Sequence, residues 1–490
     1  MTGRNFRWLG LALLAGGSAG LLSLTSMMNA AFAYGDTPVD PTVPFEVMGG
    51  SGDPIPDQAF LEYVQSLYFP STEVFSGQPT YPDADPLALV TPEQFFPSTG
   101  VNSLPLDTSV SEGVTILNDA IAPQLDAGDP VGVFGISQSA VIASLEMEQL
   151  DPSGMPSDLP ATFVLVDDLM DPNGGIFERF DGLSLPSLGL DFYGATPGDD
   201  FATTIYSLEY DGYADFPRYP LDFLSDLNAL AGMAYVHGMA LDLTPAQLTT
   251  AIELPTSGAT ETTYYMIPTT DLPLLDPVRD IPVIGNPIAD LLQPDLTYLV
   301  NLGYGDPLYG WSTSAANVPT EFGLFPSLSD IEMMPGLLVS GAEQGVENFI
   351  GDFTGSGPNP VSLNLSTSLE SLTSLLSGSS GSGLTDPLAD LSALVSDPGS
   401  LISDFANTLS TVASTDYGAL LPTADIANAL VTSVPAYDIS LFLDGLEAGN
   451  LLDALGYPIA ADVALVPLIA GFDSGVIGDA VSTTLSALIP

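Results

Sequence analysis

Pro130-Val131-Gly132-Val133-Phe134-Gly135-Ile136-Ser137-Gln138-Ser139-Ala140-Val141-Ile142-Ala143-Ser144-Leu145-Glu146-Met147 is the stretch whose reading decides the fold. Its first five residues form a short apolar run of the kind buried in a parallel sheet, and Ala140 to Met147 reads as a helix. Small residues between them let the backbone turn sharply. A strand entering a helix through such a turn lifts a serine hydroxyl clear of the sheet, and the helix N-terminus stabilises negative charge beside it. The pattern Gly-x-Ser-x-Gly/Ser occurs four times, centred on Ser18, Ser137, Ser312 and Ser380. Only Ser137 has both the strand and the helix. Ser18 lies in an N-terminal apolar run, Ser380 in Ser/Gly low complexity and Ser312 in a loop-like Tyr/Gly/Pro region, so these three read as chance matches.

The chain has one histidine, His237, 100 residues after Ser137. If serine acyl chemistry is run here, the general base is thereby identified. Between the two, Thr203 to Tyr210 is β-rich and runs into Asp211-Gly212-Tyr213-Ala214-Asp215-Phe216-Pro217, where Gly and Pro mark a loop at a strand end. Asp211, directly at that strand end, is the first choice for the carboxylate that orients His237, with Asp215 as the alternative. The order serine, acid, histidine is the one α/β-hydrolases use. Phe45-Glu46-Val47-Met48 looks like the first strand, and Gly49-Gly50-Ser51-Gly52 follows it at once. Glycines there let the backbone pass close to a reacting carbonyl. Ser51, through its N–H and hydroxyl, and the Gln138 N–H are the expected oxyanion donors. Taken singly, each feature has a plain structural reading as a packed side chain or an ordinary turn. Their order along one chain favours catalysis.

Gly49-Gly50-Ser51-Gly52, Gly135-Ile136-Ser137-Gln138-Ser139, Pro172-Asn173-Gly174-Gly175, Tyr210 to Pro217 and Tyr235-Val236-His237-Gly238 together resemble the PE-PPE domain of mycobacterial proteins. Asn301-Leu302-Gly303-Tyr304-Gly305-Asp306-Pro307 looks like the end of that domain, so the resemblance covers roughly residues 40 to 315. It implies a cutinase-like α/β-hydrolase fold with a mainly parallel sheet and the activity of a serine esterase or cell-envelope acyltransferase. The family's triad carries over to Ser137, one of Asp211 or Asp215, and His237. In that family a helical PE or PPE module often precedes the domain; here a targeting segment is read in its place.

Composition narrows the function further. Sixty-one acidic residues face five arginines and no lysine, for a formal net charge of −56. Basic residues are missing rather than acids added. Such a surface has no electrostatic footprint for nucleic acid and repels anionic headgroups, so any membrane or envelope lipid contact is expected to be hydrophobic. The absence of Cys removes disulfides and thiolate chemistry, and a single His leaves too few ligands for a typical zinc site. The expected mechanism needs neither metal nor cofactor.

Arg4 and Arg7 precede an apolar run from Trp8 to about Leu24, and Ala31-Phe32-Ala33 offers a small-x-small cleavage site. Residues 1–33 therefore read as a signal peptide, or alternatively as an uncleaved anchor, and no other stretch is read as long and apolar enough to span a bilayer. An α/β-hydrolase domain is expected over 34–355. Residues 356–490 read as a low-complexity linker, with Ser377 to Gly383 at its centre, and a helical C-terminal extension. Asp386 to Leu394, Leu401 to Val412 and Thr423 to Val434 suggest short amphipathic helices there. The Pro-rich Leu272 to Pro277 and Ile281 to Gly285 suit either packing against the sheet or an acyl-chain wall. The expectation is a secreted or envelope-associated enzyme that forms an acyl-enzyme from an acyl ester or glycolipid. The alternative is a non-enzymatic envelope protein on the same scaffold.

Overall fold

Nine strands form among the described residues: β1 (Val43–Val47), β2 (Ala84–Ala88), β3 (Val131–Ile136), β4 (Ala161–Val166), β5 (Ser184–Leu185), β6 (Leu190–Asp191), β7 (Ala202–Leu208), β8 (Ile252–Glu253) and β9 (Thr262–Ile267). The computed structural model describes residues 42–154, 156–360 and 398–488. The expected signal peptide, the Ser377 to Gly383 linker, the helix expected at Asp386 to Leu394, Ser18 and Ser380 lie outside the described residues. Seven strands form one sheet in the order β2-β1-β3-β4-β7-β9-β8, and β5 and β6 pair separately. Every pairing in the large sheet is parallel except β8 with β9. The expected α/β architecture with a mainly parallel sheet is present.

The strand order places the site. From β1 the chain moves outward to β2, whereas from β3 it runs the other way through β4 and β7. The loops leaving β1 and β3 therefore diverge and open a crevice at the carboxyl ends of these strands, where open α/β sheets take their ligands. Gly49–Gly52 leaves β1 and Ser137 leaves β3.

The helices are α1 (Gln58–Leu67), α2 (Leu106–Ala127), α3 (Gln138–Leu150), α4 (Ile176–Arg179), α5 (Phe223–Tyr235), α6 (Pro245–Leu248), α7 (Asp276–Arg279), α8 (Gly285–Tyr304), α9 (Leu328–Thr354), α10 (Pro398–Glu447) and α11 (Leu451–Leu488). Alternation along the strands sorts the core into two layers. Val131 and Val133 on β3 with Phe163 and Leu165 on β4 meet Leu117 and Ile121 of α2 and Ile142 of α3. Phe134, Ile136, Val164 and Val166 face the other way, onto Val64 and Leu67 of α1 and onto Val236 and Ala240 around His237. Both faces are covered, which is why these strands read as continuous apolar runs.

The C-terminal region is helical, as expected, but its helices are long. One 50-residue helix passes through Pro422 and Pro435, and α11 contains Pro458 and Pro467. A proline removes one backbone hydrogen bond, and here packing makes up the loss. Ile426, Ala429 and Val434 of α10 and Ala461, Leu465 and Leu468 of α11 belong to the same core layer as α2 and α3. Phe95 meets Phe472 at 5.6 Å between ring centroids, and the Ser187 hydroxyl donates to the Asp425 carbonyl at 2.7 Å. Contrary to the expectation of no further bilayer-length stretch, Gly418–Glu447 and Leu451–Thr484 are each long and apolar enough to cross a membrane by length and composition. Their outer faces expose Val431, Ile439, Leu443, Leu455 and Ile459. Of the Pro-rich segments, Leu272 and Leu275 pack against Tyr210, Val300 and Tyr304, whereas Ile281, Val283 and Ile284 are exposed.

Without lysine, the fold holds its buried carboxylates largely by hydrogen bonds. Asp171 accepts from the Asn173 N–H and the Ser207 hydroxyl, each at 3.1 Å. Glu209 accepts from the Thr269 and Gly310 N–H groups at 2.9 and 3.1 Å. Asp168 accepts from the Met170 N–H at 2.9 Å. Burial outweighs these bonds, pushing Asp168 up to about 6 and Asp171 and Glu209 up to about 7. Above the unfolded carboxylate range, near 4, the native state keeps protons that the unfolded chain has lost, so stability falls as pH rises. The urea midpoint should therefore drop as pH rises from about 4 through 7. A midpoint that rises over this interval would contradict the buried, proton-retaining acids.

Candidate active site

Ser137 links β3 to α3 with φ 57° and ψ −120°, outside the regions that side-chain-bearing residues usually occupy. Several contacts hold the turn. The Ser137 N–H donates to the Val166 carbonyl of β4 at 3.0 Å, and the Ala140 N–H donates back to the Ser137 carbonyl at 3.0 Å. The Ser139 hydroxyl accepts from the Ile136 N–H at 2.8 Å and donates to the Ile136 carbonyl at 3.1 Å, so this second serine ties the turn to its own strand. A Cβ on Gly135 would lie 2.4 Å from the Ser139 carbonyl oxygen. Glycine at this position lets strand and helix meet.

His237 opens a short 3-10 helix (His237–Leu241) directly after α5. Its Nε2 is 2.8 Å from Ser137 Oγ and its Nδ1 2.8 Å from Asp211 Oδ2. A carboxylate can only accept, so Nδ1 carries the proton and Nε2 is free to take one from the serine. The imidazole is 18% exposed while Asp211 is fully buried, and the Tyr213 ring lies against it at 4.6 Å. The other Asp211 oxygen accepts from the Tyr213 N–H at 3.0 Å.

Asp215, the alternative acid, is not brought to His237. Its Oδ2 accepts from the Tyr210 N–H at 2.9 Å and its own N–H donates to the Asp211 carbonyl at 2.6 Å, so it closes the loop from inside. Ser312 is likewise elsewhere, paired with the Ser314 hydroxyl at 2.9 Å.

The other motifs shape the acid loop. A Cβ on Gly232 of α5 would lie 1.8 Å from the Tyr210 carbonyl oxygen, so glycine there lets α5 seat on the loop and deliver His237 five residues later. Asn301 holds the Tyr210 hydroxyl at 2.7 Å. The Phe216 N–H donates to the Gly174 carbonyl at 2.7 Å, and buried Arg179 donates to the carbonyls of Asn173, Phe216 and Thr320.

On the β1 side, a Cβ on Gly50 would lie 3.5 Å from Ser137 Cβ, which places the glycine-rich loop against the serine. The Ser51 hydroxyl donates to Gln138 Oε1 at 2.8 Å, and Gln138 Nε2 donates to the Ser109 hydroxyl at 2.6 Å. The expected hydroxyl donor is therefore already engaged, leaving the Ser51 amide. The Gln138 amide opens α3, where the helix N-terminus favours negative charge.

One buried carboxylate near the site was not singled out from sequence. Asp167 follows β4, and its donor atom lies within 4.8 Å of those of Asp211 and His237. Its only sequence signal is that it ends an apolar strand, as Asp211 does. These three have the residue types of a metal site, but a metal taken by Nδ1 between the two carboxylates would replace the hydrogen bond that His237 makes to Asp211.

The PE-PPE domain family model matches residues 82–305, a span holding Ser137, Asp211 and His237. The PPE family protein PPE28 of Mycobacterium tuberculosis is 44% identical over 91% of this chain and 67% of its own length. The esterase PE16 of the same organism is 42% identical over 64% of this chain and 58% of its own, and the SL1278 acyltransferase Chp1 is 31% identical over 44% and 52%. The chain thus spans little more than half the length of each of these last two relatives. With 44% identity to one relative across 91% of its own length and two thirds of that relative's, and a domain match across its serine, acid and histidine, the chain belongs to the PE-PPE domain family.

Proposed function

We propose that this protein is a serine esterase or acyltransferase that forms an acyl-enzyme on Ser137. The observation that carries the reading is the unbroken line of hydrogen bonds from Ser137 Oγ through His237 to Asp211 at the switch point of the sheet. His237 Nε2 takes the Ser137 proton as Oγ attacks an ester carbonyl, and Asp211 stabilises the imidazolium that results. The Ser51 and Gln138 amides stabilise the oxyanion. Collapse of the tetrahedral intermediate expels the alcohol, which receives the proton from Nε2. Water then enters as nucleophile to give an acid, or a hydroxyl acceptor enters to give a new ester. Relatives named as an esterase and as an acyltransferase support both branches.

The substrate proposed is a neutral acyl ester or glycolipid, since a lysine-free, acidic chain disfavours anionic ones. The chemistry lies within residues 34–355. The exposed apolar residues of α10 and α11 support contact with a lipid layer, and the N-terminal segment supports export to the envelope.

A fluorophosphonate probe should label wild type and not Ser137→Ala; a folded wild type that resists labelling favours the non-enzymatic scaffold. Ser137→Ala and His237→Ala should each slow ester hydrolysis by at least about a thousandfold, with the double variant little slower than either, because triad members act as a unit. Asp211→Asn should cost roughly 10³–10⁴ in kcat and Asp215→Asn far less, since only the former leaves His237 in the wrong tautomer. Comparable effects at the two positions would move the orienting role away from Asp211. Gly232→Ala should destabilise the fold by about 1–3 kcal/mol through overpacking and lower kcat by displacing α5. Wild-type kcat and melting behaviour would contradict the close seating of α5.

A further inference from the structure

Behind Asp211 lies a carboxyl that this mechanism does not use. Asp167 is fully buried, in a left-handed conformation with φ 48°. Its N–H donates to the Tyr206 carbonyl at 2.8 Å, and its Oδ1 accepts from the Leu208 N–H at 3.2 Å. Its Oδ2 has neither solvent nor a donor. Asp211, within 4.8 Å, already accepts on both oxygens, from Tyr213 and from His237. The other titratable groups facing Asp167 are Tyr63 of α1, Tyr68 at its end and His237. The two tyrosine hydroxyls are spent on the Ala240 and Leu243 carbonyls. No arginine faces the pair among the described residues, so two ionised carboxylates would repel each other with no solvent to screen them.

One proton removes both the repulsion and the orphan oxygen. We propose that the Asp167 carboxyl donates a hydrogen bond to the Asp211 carboxylate and acts as a positioning residue that holds this acid against His237. Asp211 is the member that stays ionised, because it has two donors where Asp167 has one. Burial and the Asp211 charge hold Asp167 well above the ordinary carboxylate range, the direction that favours the protonated form the geometry calls for. The proposal rests on the triad reading. If that reading fails, Ser137→Ala keeps its activity; if only the Asp167 role fails, dependence on Ser137 stays intact.

The test compares full-length wild type with Asp167→Ala and Asp167→Asn. In Asp167→Ala, kcat should fall about tenfold to hundredfold with KM unchanged, the span that one hydrogen bond to a charged group covers. Asp167→Asn, whose amide donates the same bond, should recover most of the loss. Wild type should lose kcat at alkaline pH as Asp167 ionises, and Asp167→Asn, with no proton to give up, should hold its rate there. Independently of activity, the infrared difference between wild type and Asp167→Asn at neutral pH should contain a protonated carboxylic acid band. Wild-type kcat and pH profile in Asp167→Ala, or no such band, would overturn the proposal. If Asp167→Ala does not fold, the band and the Asp167→Asn pH profile decide.

Discussion

The strained turn at Ser137 is the constraint on which the site depends. A serine at φ 57° and ψ −120° costs of order 1–3 kcal/mol and persists only where its surroundings over-determine it. Here β3 is hydrogen-bonded to both β1 and β4, the turn is tied to β4 through Val166, and Ser139 closes it from within. The hydroxyl therefore points out of the sheet into the crevice between the β1 and β3 loops. Everything else in the site is arranged around that fixed atom: the imidazole on one side, the glycine-rich loop on the other.

The segments between Pro172 and Asn301, far apart along the sequence, do not build separate sites. They hold one loop. Gly232 brings α5 onto the backbone of the acid loop, Asn301 clamps Tyr210, and the Pro172 to Gly175 segment lies against Phe216. Arg179 is buried among backbone carbonyls, and burial lowers it to about 10. In a chain with five arginines, this one is spent on stitching loops together rather than on a surface ion pair. The same scarcity of cations explains why buried acids here are held by hydrogen bonds or kept protonated, a setting in which the two neighbouring carboxyls behind His237 become chemically meaningful.

Much of this was legible in the sequence because its signals are local. A continuous apolar run, a turn of small residues and a helix identify β3, Ser137 and α3, and a lone histidine behind a serine and an acid loop leaves one candidate base. The helical C-terminus could be read in the same way, but its helix lengths could not. Prolines at 422, 435, 458 and 467 signal helix ends locally, whereas packing into the core beside α2 and α3 carries α10 and α11 through them.

By itself, the sequence determined the residue types, their order and the strand–turn–helix that displays the serine. Only the tertiary structure decided which carboxylate serves His237. Asp211 and Asp215 sit in one loop with similar local surroundings, and the direction of the turn, set by α5 and Tyr210, sends one toward the histidine and the other inward. The same holds for Asp167, distant from Asp211 along the chain yet beside it because β4 pairs with β7. The Ser51 hydroxyl, free in a sequence reading, is taken by Gln138 once β1 and β3 are neighbours. Local propensity fixes what each segment becomes, but which side chains meet depends on which strands lie next to each other.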